Sequence, residues 1–449
     1  MMSITPLDAW IRKKTQIGFK PAGESFIHAL EDYQLRLANE TIEYARKHTS
    51  FYRKHLSSLS TIPLTNLSDM ARLPFTTATD LADNPFNFMA VRQDDVSKIV
   101  TLHTSGSTGA SKRIFFTDSD LELTLDFFHH GMSTLVRPGQ RAVVLLPGEK
   151  PDSVGNLILR GLQRMNVDAL VYGPVADPHH AAESIASFGA HCIVGIPTQV
   201  LAVATDRSGA GIGKDRIESL LLTTDYVPKA IAETLKKTWG CRVYTHYGMT
   251  EMGFGGGVEC DALDGYHLRE ADLYFEVIDP DTGETCPEGN SGEIVFTTLT
   301  RQGMPLIRYR TGDIARMITT PCPCGSHLKR IGYAEGRREG AVRLGSGGVL
   351  KLSELDELLF GIQGLLDYRA KVSTASDGSF QLHIDVHRSE YDWPTHGDVM
   401  KALESIGAIL KSLADGNLKT PTVQFSEDGR WMTTGAAKRK ILFALEPLV

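Results

Sequence analysis

The most informative stretch of the chain is nine consecutive residues, Thr104-Ser105-Gly106-Ser107-Thr108-Gly109-Ala110-Ser111-Lys112. An apolar run at 99–102 leads into them. Glycines free the backbone, so that several N–H groups can point at one anion. The hydroxyls add further donors, and Lys112 adds a compact positive charge. This composition predicts a loop that holds a polyphosphate, and the alternative is a polar surface turn.

The loop differs from the P-loop of Walker-type ATPases. That motif has a second glycine five residues after the first, directly before Lys-Ser/Thr. Here Ser111 stands at that distance from Gly106, and Arg113 follows the lysine. The phosphate site, if present, therefore belongs to another class of nucleotide-binding protein.

Two further motifs lie downstream of the loop, each after a strand-like run. They are Tyr247-Gly248-Met249-Thr250-Glu251 and Tyr309-Arg310-Thr311-Gly312-Asp313. With the loop, their order and spacing resemble the adenylate-forming enzymes, which comprise acyl- and aryl-CoA synthetases, luciferases and peptide-synthetase adenylation domains. Within that superfamily the chain looks most like the phenylacetate–CoA ligase branch, through the stretches 296–300, 307–313, 322–325 and 336–337. The resemblance covers roughly residues 30–445.

The resemblance implies an ATP-dependent ligase that joins a small-molecule carboxylic acid to a thiol. The acid would attack the α-phosphorus of ATP to give acyl-AMP and pyrophosphate, and a thiol, most simply CoA, would then displace AMP. The expected cofactors are ATP, Mg²⁺ and CoA. Two alternatives stay open: transfer of the acyl group to a carrier protein or an amine, and nucleotide binding without transfer.

The same resemblance implies roles for individual residues. The phosphates would be held by Thr104, Ser105, Gly106, Ser107, Thr108, Gly109 and Lys112. Tyr247, followed by Gly248, would stack on adenine, Thr250 would contact the α-phosphate, and Glu251 would bind Mg²⁺. Asp313 would accept hydrogen bonds from both ribose hydroxyls, as acidic residues do in dinucleotide sites. The structural alternatives are a half-buried aromatic ring at Tyr247 and a common Thr-Gly-Asp turn at Asp313.

A catalytic lysine is expected near the C-terminus, because the family places one in a Gly-Lys-x-x-Arg setting. The chain reads Gly435-Ala436-Ala437-Lys438-Arg439-Lys440, with alanine where that lysine would stand. Lys438 is therefore the predicted catalytic lysine, and Lys440 or no lysine is the alternative.

A hinge is expected just before the C-terminal part. The resemblance places the hinge residue at Glu339, where the family usually has aspartate. Arg337 would pair with ribose or phosphate, or would be a solvated linker arginine.

Four residues have the chemistry of a zinc site: Cys260, His267, Cys322 and Cys324. Three thiolates and one imidazole form a tetrahedral ligand set, and a site with four protein ligands is structural rather than catalytic. The resemblance supports it, since some phenylacetate–CoA-ligase-like proteins carry such a cluster. Cys286 and His327 are reserve ligands, and free thiols are the alternative.

Composition limits the classes of partner and compartment. The net charge of −7 comes without a basic block, which argues against nucleic acid as a partner. No stretch approaches the apolar length of a membrane span. Six cysteines in 449 residues do not make a disulfide framework, so we expect reduced thiols and a cytoplasmic protein. Analogy with the family suggests a homodimer.

The hydrophobic pattern predicts an α/β protein. Helical periodicity covers 25–59, and strand–helix alternation over 98–246 predicts a doubly wound, mostly parallel sheet. A strand-rich stretch at 266–318 predicts a smaller antiparallel subdomain. We expect an AMP-binding domain at 1–335, a hinge at 336–341, and a small mobile α+β domain at 342–449 whose long helix spans 397–413.

The substrate is not identified by the sequence. The stretch 147–156, which the resemblance associates with the acid pocket, is charged and lacks aromatic residues. Phenylacetate-type ligases have an aromatic, glycine-rich loop there. A smaller or more polar acid is therefore as well supported as phenylacetate.

Overall fold

A computed structural model describes residues 5–17, 24–59, 63–103, 111–337, 341–345, 348–375, 377–389, 392–426 and 439–444. The chain divides into two compact units. The first unit comprises Met1–Arg137, Arg160–Asn166 and His246–Ala334, and the second comprises Pro138–Leu159, Val167–Thr245 and Glu335–Val449.

The α-helices of the described residues, in chain order, are α1 (Pro6–Thr15), α2 (Glu24–His48), α3 (Ser50–His55), α4 (Ala78–Asp83), α5 (Asp118–Met132), α6 (Val154–Gln163), α7 (Pro178–Phe188), α8 (Pro197–Thr205), α9 (Arg207–Ala210), α10 (Lys229–Trp239), α11 (Leu352–Leu359), α12 (His396–Glu404) and α13 (Gly407–Ala414). Short 3₁₀ segments lie at Leu67–Arg72, Pro85–Phe88, Gln93–Asp95 and Thr250–Met252.

The strands are β1 (Lys98–His103), β2 (Ser111–Phe116), β3 (Arg141–Leu145), β4 (Asp168–Val171), β5 (Cys192–Gly195), β6 (Ser219–Leu222), β7 (Arg242–Tyr247), β8 (Gly257–Glu259), β9 (Tyr266–Leu268), β10 (Leu273–Ile278), β11 (Ser291–Thr298), β12 (Tyr309–Ile318), β13 (Arg330–Ile331), β14 (Gly336–Arg337), β15 (Val342–Arg343), β16 (Val349–Leu350), β17 (Leu365–Thr374), β18 (Phe380–Arg388), β19 (Thr422–Ser426) and β20 (Leu442–Ala444).

The first unit is built on antiparallel strands in the order β10-β11-β12-β13-β9-β8. The last two residues of β7 pair with β8. A separate hairpin of β1 and β2 aligns Leu102 with Lys112 and His103 with Ser111, so the predicted phosphate loop joins two antiparallel strands. The predicted antiparallel subdomain is confirmed.

Local sequence signals set the helices of the first unit. Thr117 and Asp120 form a reciprocal capping box at the start of α5, which satisfies two backbone N–H groups that a helix start leaves unpaired. The helical pattern predicted at 25–59 is confirmed up to His55, with one interruption. Thr49 ends α2 and caps α3 by accepting a hydrogen bond from the Tyr52 N–H at 3.1 Å.

The second unit contains a parallel sheet in the order β4-β3-β5-β6-β7, with α7 to α10 between its strands in the chain. All four residues of β5 and of β6 are buried, as expected for strands covered on both faces. The predicted mostly parallel sheet is confirmed.

The rest of the second unit is α+β. A four-stranded sheet has the order β19-β18-β17-β20, and its apolar residues join those of the parallel sheet in one hydrophobic cluster. The single long helix expected at 397–413 is wrong, because α12 and α13 are separate helices. Ile406 is extended between them, with φ −80° and ψ 118°, and its side chain is buried. Gly407, a weak helix former, follows the break.

The last two expectations concern a membrane span and the division into domains. Among the described residues, no helix has the length and apolarity needed to cross a bilayer. The division into a domain at 1–335, a hinge and a C-terminal domain stays a prediction.

Candidate active site

A lysine, a glutamate and a tyrosine from three parts of the first unit meet at one carboxylate oxygen. The Lys112 ammonium lies 2.5 Å from Oε1 of Glu251. The Tyr309 hydroxyl donates to the same oxygen at 3.2 Å and accepts from Lys112 at 3.3 Å. The Glu251 side chain is only 2% exposed and that of Lys112 15%. The strands β2 and β12 and the 3₁₀ segment Thr250–Met252 therefore bring two predicted site residues, Lys112 and Glu251, into contact.

The turn that carries Glu251 has little conformational freedom. A Cβ at Gly248 would lie 2.3 Å from the Phe254 carbonyl oxygen, so only glycine fits there. Arg301 donates to the Glu251 backbone carbonyl at 2.6 Å. Burial lowers the pKa of Arg301 to about 10, so its guanidinium remains charged at neutral pH. This charge holds the peptide of Glu251 without using its carboxylate.

Tyr247 and Asp313 form a second buried pair in the same unit. The Tyr247 hydroxyl donates to Asp313 Oδ2 at 3.0 Å. The Asp313 N–H donates to the Thr311 hydroxyl at 3.0 Å, and that hydroxyl donates to the Ile294 carbonyl at 2.8 Å. The hydrogen bond fixes the end of the Tyr247 ring, and two motifs far apart in sequence therefore meet.

The sequence motifs did not identify Tyr309 or Arg308 as residues of the site. Arg308 has φ +47°, a costly conformation for a residue with a side chain. Its guanidinium is held by both carboxylate oxygens of Glu276, at 2.9 and 3.1 Å, and by the Leu73 carbonyl. This anchoring sets the start of β12, and with it Tyr309. Tyr309 is the first residue of the Tyr-Arg-Thr-Gly-Asp motif, and its place in that motif could have marked it as a site residue.

Several predicted site residues lie outside the described residues. They are Thr104, Ser105, Gly106, Ser107, Thr108, Gly109, Glu339 and Lys438. For Arg337 only the backbone, in β14, is described. Thr250 begins the segment that carries Glu251. The roles given to all these residues stay predictions.

The predicted zinc ligands converge in the first unit. Cys260 Sγ lies 3.6 Å from Cys322 Sγ, and Cys324 Sγ lies 3.3 Å from His267 Nε2. All four ligand atoms lie within 4.8 Å of one another. Zn–S near 2.3 Å and Zn–N near 2.0 Å in a tetrahedron put neighbouring ligand atoms roughly 3.5–3.8 Å apart, so the Cys260–Cys322 and Cys324–His267 contacts are close to the spacing of zinc ligands.

The backbone around the cluster explains how it forms. Gly325 has φ +82° and donates to the Cys322 carbonyl at 3.0 Å, which closes the turn that presents both cysteines of the C-x-C pair. The Ser326 N–H points at Cys324 Sγ at 3.4 Å. Burial lowers the pKa of His267, which favours the neutral imidazole. The reserve residues Cys286 and His327 are not part of the group.

A different charged cluster occupies the second unit, around the residue that follows Lys438. Arg439 pairs with Asp356 at 2.6 Å and with Asp367 at 3.3 Å. Its guanidinium also lies over the rings of Tyr368 and Phe360, 4.5 and 4.9 Å from their centroids. Burial raises the pKa of Asp356 to about 6, although Arg439 opposes this shift. The arginine of the Gly-x-x-x-Arg stretch is thus held on several sides.

Curated relatives of the chain include phenylacetate-coenzyme A ligases from several bacteria. The protein of Thermus thermophilus is 29% identical over 260 residues, which is 56% of this chain and 56% of that protein. The protein of Pseudomonas putida is 28% identical over 339 residues, 71% of this chain and 73% of that protein. The match thus spans a little over half the length of the Thermus relative.

Solved structures show the same fold. A crystal structure of 2-hydroxyisobutyryl-CoA ligase in the postadenylation state, in complex with 2-HIB-AMP, superposes with a TM-score of 0.72 at 21% identity. The superposition covers 88% of this chain and 86% of that one. At this identity the likeness establishes the fold.

The family described as AMP-binding enzyme matches residues 37–300, more than half of the chain. This range contains the predicted phosphate loop and the Tyr247–Glu251 motif, and it ends before β12, the strand that contains Asp313. The chain therefore belongs to the AMP-binding enzyme family.

Proposed function

We propose that the chain is an ATP-dependent acid–CoA ligase that forms an acyl adenylate and then an acyl thioester. The observation that carries this proposal is the buried Glu251 carboxylate, 2.5 Å from Lys112, in the same unit as the Tyr247–Asp313 pair. Together these groups offer a metal ligand, a phosphate ligand and a ribose acceptor. The named relatives support CoA as the acceptor.

Each residue has a definite task in this proposal. Asp313 accepts the ribose hydroxyls, and the ring of Tyr247 covers the adenine. Lys112 and the hydroxyls of 104–108 neutralise the phosphates, while Thr250 donates to the α-phosphate. Mg²⁺ held by Glu251 would supply charge that stabilises the transition state at phosphorus. Such catalysis is mainly positioning and charge neutralisation, so it requires no general base on the protein.

In this proposal the C-terminal domain rotates about Glu339 between the two half-reactions. Lys438 reaches the α-phosphate and the substrate carboxylate during adenylation and withdraws before thioester formation. The proposal keeps the domain division at 1–335, 336–341 and 342–449. Two half-reactions that need different groups at one site suit a short hinge between domains.

The acid is proposed to be small or polar, or phenylacetate itself. The reason is the charged stretch 147–156, which lacks the aromatic residues of phenylacetate-type ligases. Transfer to a carrier protein or an amine is the second candidate. Ala436, in place of the family lysine, favours nucleotide binding without transfer.

ATP–pyrophosphate exchange with a panel of carboxylic acids tests adenylation. We expect acid-dependent exchange that requires Mg²⁺, with phenylacetate and short polar acids both in the panel. Adding CoA to the active acids then tests thioester formation. Exchange without a CoA thioester would favour a carrier protein or an amine as the acceptor. No exchange with any acid would leave a nucleotide-binding protein.

A structural zinc ion is proposed at Cys260, His267, Cys322 and Cys324. The support is the convergence of three sulfur atoms and one imidazole nitrogen within 4.8 Å. Because the protein supplies all four ligands, the ion would stabilise the fold without taking part in the reaction. In the sequence the ligands come from two separated stretches, so a bound ion would tie 260–267 to 322–324.

Metal analysis of protein purified without a histidine tag tests the zinc site. We expect about one zinc per chain. The Cys322→Ser/Cys324→Ser variant should lose it, whereas Cys286→Ser, which changes a cysteine outside the group, should keep it. Unchanged zinc in the double variant would disprove the assignment.

We also propose a cytoplasmic homodimer. Metal-binding thiols must be kept reduced, which suits the cytoplasm, and the dimer rests on family analogy. Light scattering coupled to gel filtration should give twice the mass of one chain, and the mass of a single chain would contradict it.

A further inference from the structure

One oxygen of Glu251 already has two hydrogen-bond donors. Oε1 lies 2.5 Å from the Lys112 ammonium and accepts from the Tyr309 hydroxyl at 3.2 Å. A carboxylate oxygen has two lone-pair directions, so this oxygen is fully used. The carboxylate is 2% exposed, so a cation that compensates its charge cannot be replaced by bulk water.

Lys112 and a divalent cation compete for this carboxylate. Mg²⁺ binds carboxylate oxygen at about 2.0–2.1 Å in nearly ideal octahedral geometry, which leaves no room for an ammonium 2.5 Å from the same oxygen. Two positive centres that close together also repel each other strongly in a buried site. Lys112 must therefore leave Oε1 before a metal can bind there.

The surroundings allow Lys112 to leave and keep the rest of the site fixed. Its side chain is a flexible four-carbon stem that is 15% exposed, and it ends the predicted phosphate loop. Arg301 stays behind, because it binds the backbone carbonyl of Glu251. Phosphate oxygens are good new acceptors for an ammonium group.

We infer that Lys112 is the resident counter-ion of Glu251 in the nucleotide-free protein and moves to the polyphosphate when nucleotide binds. The inference rests on the proposed function and goes beyond it. Lys112 then has two successive partners, and its departure frees Oε1 of Glu251 for a metal. Nucleotide and metal binding are coupled by this exchange, and coupling of this kind is reciprocal. Without nucleotide, the Lys112 charge beside Oε1 weakens metal binding at Glu251.

Manganese binding to nucleotide-free protein tests the exchange without any turnover. Mn²⁺ replaces Mg²⁺ and is followed by electron paramagnetic resonance at mildly alkaline pH. Lys112→Met removes the competing charge and should tighten Mn²⁺ binding by about tenfold or more. Lys112→Arg keeps a positive charge and should bind Mn²⁺ as weakly as the wild type. Lys98→Met is the matched control for loss of a lysine in the same hairpin, and it should change nothing.

The double variant Lys112→Met/Glu251→Gln locates the binding. The double variant should bind Mn²⁺ more weakly than Lys112→Met does, because the Glu251 carboxylate is gone. Mn²⁺ bound at other sites contributes equally in all the variants. Equal affinities of the wild type and Lys112→Met would overturn the inference, as would a gain that persists in the double variant. Acid-dependent pyrophosphate exchange by the wild type is measured separately. If no acid supports pyrophosphate exchange but Lys112→Met still tightens Mn²⁺ binding, the proposed function is wrong. The inferred competition between Lys112 and a metal for Glu251 then still stands.

Discussion

Each compact unit holds a cation among carboxylates, but the two cations are held differently. In the first unit Lys112 contacts the single carboxylate of Glu251. In the second unit Arg439 contacts Asp356 and Asp367 and lies over two aromatic rings. Their exposures are similar, at 15% and 18%. Within the described part of the chain, Lys112 has one carboxylate and the Tyr309 hydroxyl as partners, whereas Arg439 has two carboxylates and two rings, so the kind of partner and not the exposure separates them.

The residue types fit this difference. Lysine is a point charge on a flexible stem and can change partner at low geometric cost, whereas the planar guanidinium of arginine satisfies several acceptors and stacks on rings. Lys112 is thus suited to exchange between Glu251 and a ligand, and Arg439 is suited to stay in place. The variants below test whether one cation is exchangeable and the other is structural.

Arg439→Met should have the largest effect, and on stability. It leaves Asp356 and Asp367 without their counter-charge in a buried setting. We expect the melting temperature to fall by roughly 5 °C or more in scanning calorimetry. Lys419→Met is the matched control, because it removes the cation of an exposed pair with Asp377 in the same unit. Equal, small shifts for the two variants would contradict a structural role for Arg439.

Glu251→Gln should have the next largest effect, on turnover. It keeps the shape of the side chain and removes the charge that Lys112 and the metal share. We expect acid-dependent AMP formation to fall by more than about tenfold while the melting temperature changes little. Glu233→Gln, in the exposed face of α10, is the control for loss of a carboxylate. Wild-type turnover in Glu251→Gln would remove this residue from the site.

The arginine cluster should also give a pH signature. Burial raises the pKa of Asp356 from 3.8 to about 6. The folded protein thus binds this proton more tightly than the unfolded chain does, and this favours folding most below the unfolded value. The contribution is lost as pH rises through about 6. The wild type should therefore lose stability relative to Asp356→Asn between about pH 4 and pH 7. A difference in melting temperature that does not vary with pH would rule this out.

Tyr309→Phe should have the smallest effect. The phenol donates one hydrogen bond to Glu251 and accepts one from Lys112, while the ion pair itself remains. A hydrogen bond to a charged group contributes about 1.5–3 kcal/mol, but Lys112 still balances the Glu251 charge in this variant, so we expect turnover to fall by less than about tenfold. Steady-state rates of AMP formation measure it. A loss as large as that of Glu251→Gln would give the hydroxyl a direct part in the reaction.

Much of the fold was predictable because local signals agreed with it. The apolar runs at β5 and β6 have the continuous pattern of strands buried on both faces, and α7, α8 and α10 have clear helical periodicity. The break between α12 and α13 was not predictable from periodicity alone. The apolar spacing continues through Ile406, and only packing in three dimensions places that side chain in the core while its backbone is extended.

The candidate site was predictable in its residues and not in its contacts. Cys260, His267, Cys322 and Cys324 carry their chemistry in their identities, so their convergence could be expected. The Lys112–Glu251 contact joins residues 139 positions apart, and no local pattern encodes it. Tyr309 was not predicted as a site residue, and the contacts of its hydroxyl with Glu251 and Lys112 appear only in three dimensions.

Acid-dependent product analysis tests the proposed chemistry most directly. Protein, ATP and Mg²⁺ are incubated with each acid of the panel, and the nucleotide products are separated by chromatography. The proposed function predicts AMP and pyrophosphate with at least one acid, and an acyl-CoA thioester when CoA is added. ADP as the acid-dependent product would contradict attack at the α-phosphorus, and with it the reaction proposed for this chain.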